Sequence, residues 1–291
     1  MDKDKIKIVG IGEGGARAIS GMISLGVGKN KNVDFVSIGN DENILLTSST
    51  KNNIFLNRDS PTVYKNISTS LRDAKIVIIV AGIGGSAAKQ AIPRIVSIAK
   101  NNNAATVAFV NLPFVLENVE RKKNAEYCLN SLREVDTAFI IPAEKFFLFR
   151  LYKKEISLVE LFEVANEIFC QGVKIFLEMS SENDSLLKLG KAKFGYGFGA
   201  TALEAIKNIV NFPMFEPDEI RHAKRIFIRQ TGGADTPAKN FIKEMILPDA
   251  KLFWRVDNSY EEKMFASIIF TCEEALSNDK NNPLRHRRNL S

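Results

Sequence analysis

The stretch VAGIGGSAAKQAIP, residues 80–93, ends an apolar run and enters a helical one through Gly82, Gly84 and Gly85. Its lead-in, Lys75–Val80, is long enough for a strand and too short for a helix. Glycines at such a turn present bare backbone N–H groups at a helix start, an arrangement that attracts phosphate. A second stretch, Gly10-Ile11-Gly12-Glu13-Gly14-Gly15, follows the apolar run Lys5–Ile11 in the same way. Gly10, Gly12 and Gly15 fit GxGxxG, and Asp41 after the next strand is placed to take a ribose hydroxyl. One such loop is enough for a dinucleotide-binding unit. Two in one sheet suit a longer phosphate chain clasped from two sides.

Outward from these loops the first half alternates strands and helices. Val33–Ile38, Thr106–Val110 and Thr137–Ile141 are further short β-branched runs, apolar on both faces as in a parallel sheet covered by helices. Helices are predicted over Ala16–Leu25, closed by Gly26, from Ser60-Pro61, over Ser86–Lys100 and over Val119–Arg133. Ser157–Met179 reads as one long helix, its start marked by the capping-box spacing of Ser157 and Glu160. Leu161, Phe162, Ile168, Phe169, Val173 and Phe176 cover more than one of its faces, which predicts a buried spine between two domains. Beyond it follow strand Ala192–Gly199, helix Leu203–Val210, strand Arg225–Arg229, helix Ala238–Met245, and strands Lys251–Val256 and Met264–Thr271. The short spacing of the last two predicts an antiparallel pair. The expected domains are 1–150 of nucleotide-binding type, a central helix at 151–180, an α+β domain at 181–274 and a flexible basic tail at 275–291.

Composition narrows the class. A 45% hydrophobic and 25% charged chain of 291 residues is that of a soluble globular protein. No apolar run reaches membrane-spanning length, and MDKDKIKIVG has no signal-peptide core. Cys128, Cys170 and Cys272, with only His222 and His286 beside them, predict neither a disulfide framework nor a zinc site. A reducing cytoplasm is expected. The formal charge of +6 allows an acidic partner, and no nucleic acid is expected.

Several segments carry a family resemblance in order. They are IKIVGIGEGGARAISGMISLGV from Ile6, the loop at 80–93 with Pro93, VNLPFVLEN from Val110 and VDTAFIIPAEK from Val135. LFEVANEIFCQGV from Leu161, FGYGFGATALEAIKNIV from Phe194 and IRQTGGAD from Ile228 follow. Together they resemble FtsZ, of the tubulin superfamily, from about Lys5 to Cys272. The resemblance implies an α/β tubulin/FtsZ-like fold: a Rossmann-type parallel sheet with helices on both faces, a long central helix and a smaller α+β C-terminal domain. It implies GTP or GDP, with Mg2+ accompanying the nucleotide, and either head-to-tail self-association or co-assembly with FtsZ-type filaments for cell division. Gly12, Gly14, Gly15, Gly84, Gly85 and Ser86 would surround the phosphates. Glu117 would meet the ribose, and Arg121 the terminal phosphates. Phe162 would stack on guanine and Asn166 would read its edge. Core packing is the alternative for Phe162, and a surface ion pair the alternative for Glu117 and Arg121.

The departures from the family pattern are as informative. Ser86, Ala87, Ala88, Lys89 and Gln90 replace later glycines and threonines of the signature, where side chains are expected to crowd a phosphate. Glu13 replaces a glycine, and Glu13 with Lys89 is a candidate ion pair across the two loops. Ala143 and Gly39 stand where the family has asparagines, and no GAGA-type loop is found between Asp41 and Pro61. After the central helix, GVKIFLEMSSENDSLLKLGKAKFG offers Glu178, Glu182 and Asp184 but no match to the family's N-x-D-x-x-D, so a solvated turn is expected there. Hydrolysis is then expected to be slow or absent, and no catalytic residue is assigned. The alternatives are a structural pseudo-GTPase without nucleotide and an NAD-dependent oxidoreductase using Asp41. The C-terminal Arg285, Arg287 and Arg288 make a basic tip suited to an acidic partner or an anionic membrane.

Overall fold

The computed structural model describes residues 5–29, 32–56, 61–152, 158–233, 235–257 and 263–272. The Ser60 and Ser157 helix starts and the basic tail at 275–291 lie outside the described residues. The chain divides into two compact units, one running to Lys188 and the other beginning at Leu189.

The first unit holds six strands: β1 (Ile6–Ile11), β2 (Val33–Gly39), β3 (Asn52–Phe55), β4 (Ile76–Gly82), β5 (Ala105–Leu112) and β6 (Thr137–Pro142). Their order is β3-β2-β1-β4-β5-β6, and all are parallel. β4 is apolar and β1 nearly so, its buried Lys7 paired with Asp34 of β2, and both are almost wholly buried, as strands covered on both faces must be. The helices are α1 (Gly12–Ser24), α2 (Glu42–Thr47), α3 (Pro61–Ser70), α4 (Ser86–Asn101), α5 (Val119–Leu132) and α6 (Leu158–Ser180). Residues of α3, α4 and α5 close one core with Val9, Ile11, Val77, Ile79 and Ala81. On the other side α1 packs against α6, where Cys170 Sγ donates to the Ala18 carbonyl at 3.3 Å. Phe109 and Phe139 stack with centroids 4.4 Å apart, and Phe176 of α6 meets both edge-on.

Two elements of this unit escape the sequence reading. α2 and β3 occupy the stretch between Asp41 and Pro61, where β3 is only NNIF at the sheet edge, too short and polar for a periodic signal. 3-10 helices also form over Ala143–Tyr152 and Asp184–Lys188. α1 starts at Gly12, earlier than its apolar period suggests, because the glycine loop is itself the first helical turn.

The second unit contains β7 (Gly190–Gly199), α7 (Ala202–Val210), α8 (Pro217–Arg221), β8 (Arg225–Thr231), α9 (Thr236–Met245), β9 (Lys251–Asp257) and β10 (Met264–Thr271). Its sheet order is β7-β10-β8-β9. β10 is antiparallel to β7 and β8, while β9 is parallel to β8. β9 and β10 run in opposite directions, as expected, but they are not neighbours, because β8 lies between them. α9 bridges β8 to β9, and a helical crossover returns the chain parallel. β10 is buried from Ala266 to Thr271 and takes the centre; β9, with exposed Lys251 and Arg255, takes the edge.

Candidate nucleotide site

The chain steps outward from β1 through β2 to β3, then returns to the other side of β1 as β4. That reversal is a topological switch point, the place where α/β sheets open a crevice beyond their strand ends. Gly10 lies opposite Val80 and Ile11 opposite Ala81, so both glycine turns leave the same edge side by side. Gly12 has φ +69°, and a Cβ built on it would sit 3.8 Å from the Ala87 methyl. The two turns thus lie side by side, and α1 and α4 leave them on opposite faces of the sheet.

Neither helix start is capped by a side chain. Ile11 precedes α1 and Gly85 precedes α4, and neither makes a side-chain cap hydrogen bond. Their first-turn N–H groups point outward without the partners a cap would supply. Neighbouring helices differ: Asp41 accepts from Asn43 and Ile44 at α2, and Asn118 accepts from Arg121 at α5. A Cβ at Gly14 would meet nothing within 4 Å, so one loop has open space. Gly15 instead serves packing: its Cβ would lie 2.6 Å from the Val80 carbonyl oxygen. Ser86 is exposed, and its Oγ accepts from Asn40 Nδ2 at 2.8 Å, tying the end of β2 to the start of α4.

The third wall comes from the segment after β5. Glu117 accepts the Phe114 N–H at 2.9 Å and pairs with Arg121 one turn on. Arg121 covers Gly84, where an added Cβ would approach its Nε to 3.2 Å. The buried amide of Asn124 donates to the Gly84 carbonyl at 3.3 Å. Gly84 therefore makes room for Arg121 of α5 and for Pro113, against which an added Cβ would be tight. Gly12, Gly14, Gly84, Gly85, Ser86, Glu117 and Arg121 thus gather at the ends of β1, β4 and β5. Phe162 and Asn166 lie four residues apart on α6, two turns and one turn before Cys170, whose Sγ meets Gly21 and Ala18 of α1. Phe162 is 59% exposed, so its ring is not core. Asn166 is half-buried.

The departing residues do not behave as expected. Ala87 and Ala88, in the first turn of α4, are buried with the core, and the Ala87 methyl faces Gly12 of the first loop. Glu13 does not pair with Lys89. It binds Arg17, one turn along α1, at 2.8 Å. Lys89 is exposed and has no ion pair among the described residues. It lies toward α5: burial pushes the Cys128 thiol up to about 12, and the Lys89 charge partly opposes this. Arg17 was legible as an i,i+4 partner of Glu13. Asn40 and Asn124 carried no local signal, because each meets the site across a sequence gap.

The turn after α6 is closed locally. Asn183 Oδ1 accepts from Ser185 N at 3.1 Å and Ser185 Oγ at 2.6 Å. Among the described residues no three acidic, cysteine or histidine side chains gather as a metal site. No helix among them is long and apolar enough to cross a membrane.

A parallel sheet with two uncapped glycine-rich helix starts at its switch point defines an α/β protein of the nucleotide-binding type. Residues 5–149 match the Tubulin/FtsZ family, GTPase domain. The chain is 27% identical to the cell division protein FtsZ of Caulobacter vibrioides, a match covering 99% of this chain and 64% of that protein. It thus spans less than two thirds of that relative's length. The empty FtsZ dimer of M. jannaschii superposes with a TM-score of 0.76 at 25% identity, covering 92% of this chain and 88% of that one. The GTPγS-bound protofilament of CetZ2 from Haloferax volcanii gives 0.73 at 14% identity, covering 93% and 94%. This chain belongs to the tubulin/FtsZ superfamily.

Proposed function

We propose that this chain holds GTP or GDP in the crevice between its two glycine turns, hydrolyses it slowly or not at all, and self-associates head to tail as a filament protein of cell division. The observation that carries this reading is the pair of uncapped helix starts, α1 and α4, side by side at Gly12 and Ala87. The N–H groups around Gly12, Gly14, Gly85 and Ser86 would hold phosphate oxygens. Arg121 would add a cation for the terminal phosphates, and Glu117 a carboxylate for the ribose. The exposed Phe162 ring would stack on the base, and Asn166 would read its edge. Mg2+, when bound with the nucleotide, supplies charge neutralisation between phosphates. Arg17 neutralises Glu13, so the carboxylate in the first loop repels phosphate less than its position suggests. Self-association is supported by relatives solved as a dimer and as a protofilament.

Weak hydrolysis is supported by the turn at 181–188, where Asn183 serves Ser185 and Asp184 opens a 3-10 turn. The oxidoreductase alternative loses support, because the Asp41 carboxylate caps α2. Fluorescent GTP and GDP titrated with Mg2+ across protein concentrations test the reading. Saturable binding of both, with phosphate release near background, is expected. No binding of either would leave the structural pseudo-GTPase.

A further inference from the structure

The outer edge of the second unit's sheet is β9, KLFWRVD at residues 251–257. Among the described residues no strand lies on its far side. A seven-residue edge with a row of unpaired backbone groups is a template for another strand, and most proteins disfavour that pairing. β9 carries charge, yet its charges are arranged in a self-complementary way. Read antiparallel against itself about Trp254, Lys251 falls opposite Asp257, Leu252 opposite Val256, Phe253 opposite Arg255 and Trp254 opposite Trp254.

The faces agree with that register. Phe253 stacks on Phe227 at 4.6 Å, and Arg229 binds Asp257 at 2.6 Å, which puts Lys251, Phe253, Arg255 and Asp257 on one face. Lys251 is exposed, Phe253 is 40% exposed, and Asp257 retains accessible carboxylate beside Arg229. Leu252, Trp254 and Val256 line the opposite face, half-buried at the end of the layer that Ile226 and Ile228 continue. Other registers are penalised. Centring the pair on Phe253 sets Lys251 against Arg255, and centring it on Arg255 sets that arginine against itself. A one-residue slip puts charged faces against apolar ones.

We propose that two copies of this chain join β9 to β9, antiparallel, about a twofold axis at Trp254. The contact is isologous, so it closes after two copies, and it requires no nucleotide. It is independent of the head-to-tail reading.

The test uses the full chain in EDTA without nucleotide. Sedimentation across protein concentrations is expected to show a reversible dimer, and Lys251→Glu to raise its Kd about tenfold by setting like charges opposite each other twice. In a Cys272→Ser background, Trp254→Cys is expected to give a covalent dimer under mild oxidation, because paired Cα atoms lie about 5 Å apart. Leu252→Cys is expected to give none, its own copy sitting about 14 Å away. A monomer at every concentration overturns the proposal. So does a dimer indifferent to Lys251→Glu, or equal cross-linking at 252 and 254. Failed nucleotide binding with this dimer intact would sink only the earlier reading.

Discussion

A Cβ at Gly15 would lie 2.6 Å from the Val80 carbonyl oxygen and 2.8 Å from the Gly10 carbonyl carbon, whereas one at Gly14 meets nothing within 4 Å. Adjacent glycines in one loop therefore answer to different constraints. Gly15→Ala is expected to lower unfolding free energy by about 2–3 kcal/mol, because rigid backbone cannot yield. Gly14→Ala should be neutral, or gain up to ~1 kcal/mol of helix propensity, while weakening nucleotide binding. Denaturant midpoints and a fluorescent-GTP titration on both variants separate the two roles. The exposed ring of Phe162 makes the reverse case. Phe162→Ala should leave the denaturant midpoint unchanged and weaken GTP about tenfold or more, as loss of one stacking ring costs about 1–3 kcal/mol. An unchanged affinity would remove Phe162 from the site.

At the scale of elements, helix starts sort by what satisfies them. Asp235 caps α9 through Ala238 N at 2.9 Å and also takes Leu203 N of α7 at 3.2 Å. Asp235→Ala should cost about 1–2 kcal/mol of stability in thermal or denaturant unfolding without changing nucleotide affinity. α1 and α4 have no such cap, so no side chain takes up their first-turn N–H groups. The strands β1, β2, β4, β5 and β6 were legible because both faces are buried and their runs are apolar. β3 and α2 were not: an edge strand of four residues and a six-residue helix carry too little period to read. The opposed directions of β9 and β10 were legible from their spacing; that the α9 crossover lays β9 beside β8, so that β8 separates it from β10, was not.

On the scale of the whole molecule, two buried thiols report the integrity of the fold. Burial raises Cys128 and Cys170 from 9.0 to about 12, with Glu167 adding to the second. Both stay protonated when folded, so their contribution to stability is complete below pH 9 and is lost as pH rises toward 12. Alkylation at pH 8 should modify Cys272 readily and reach Cys128 and Cys170 only on unfolding. A Cys128→Ala/Cys170→Ala variant should lose less Tm between pH 9 and 11 than the native chain.

The sequence by itself determined the superfamily, the two glycine turns and the candidate ligands. Each of these is encoded in local residue order: glycine where backbone must approach backbone, apolar runs where strands are covered, and Phe162 and Asn166 one turn apart. Only the tertiary structure decided which charges meet and which strands are neighbours. Glu13 and Lys89 face each other in a linear reading, yet α1 and α4 diverge from the sheet edge and Arg17 stands closer on the same helix. β9 follows β8 in sequence and stays beside it, while β10 leaves β9 and inserts between β7 and β8, because an apolar strand gains most at the centre of a sheet and a charged one loses least at its edge.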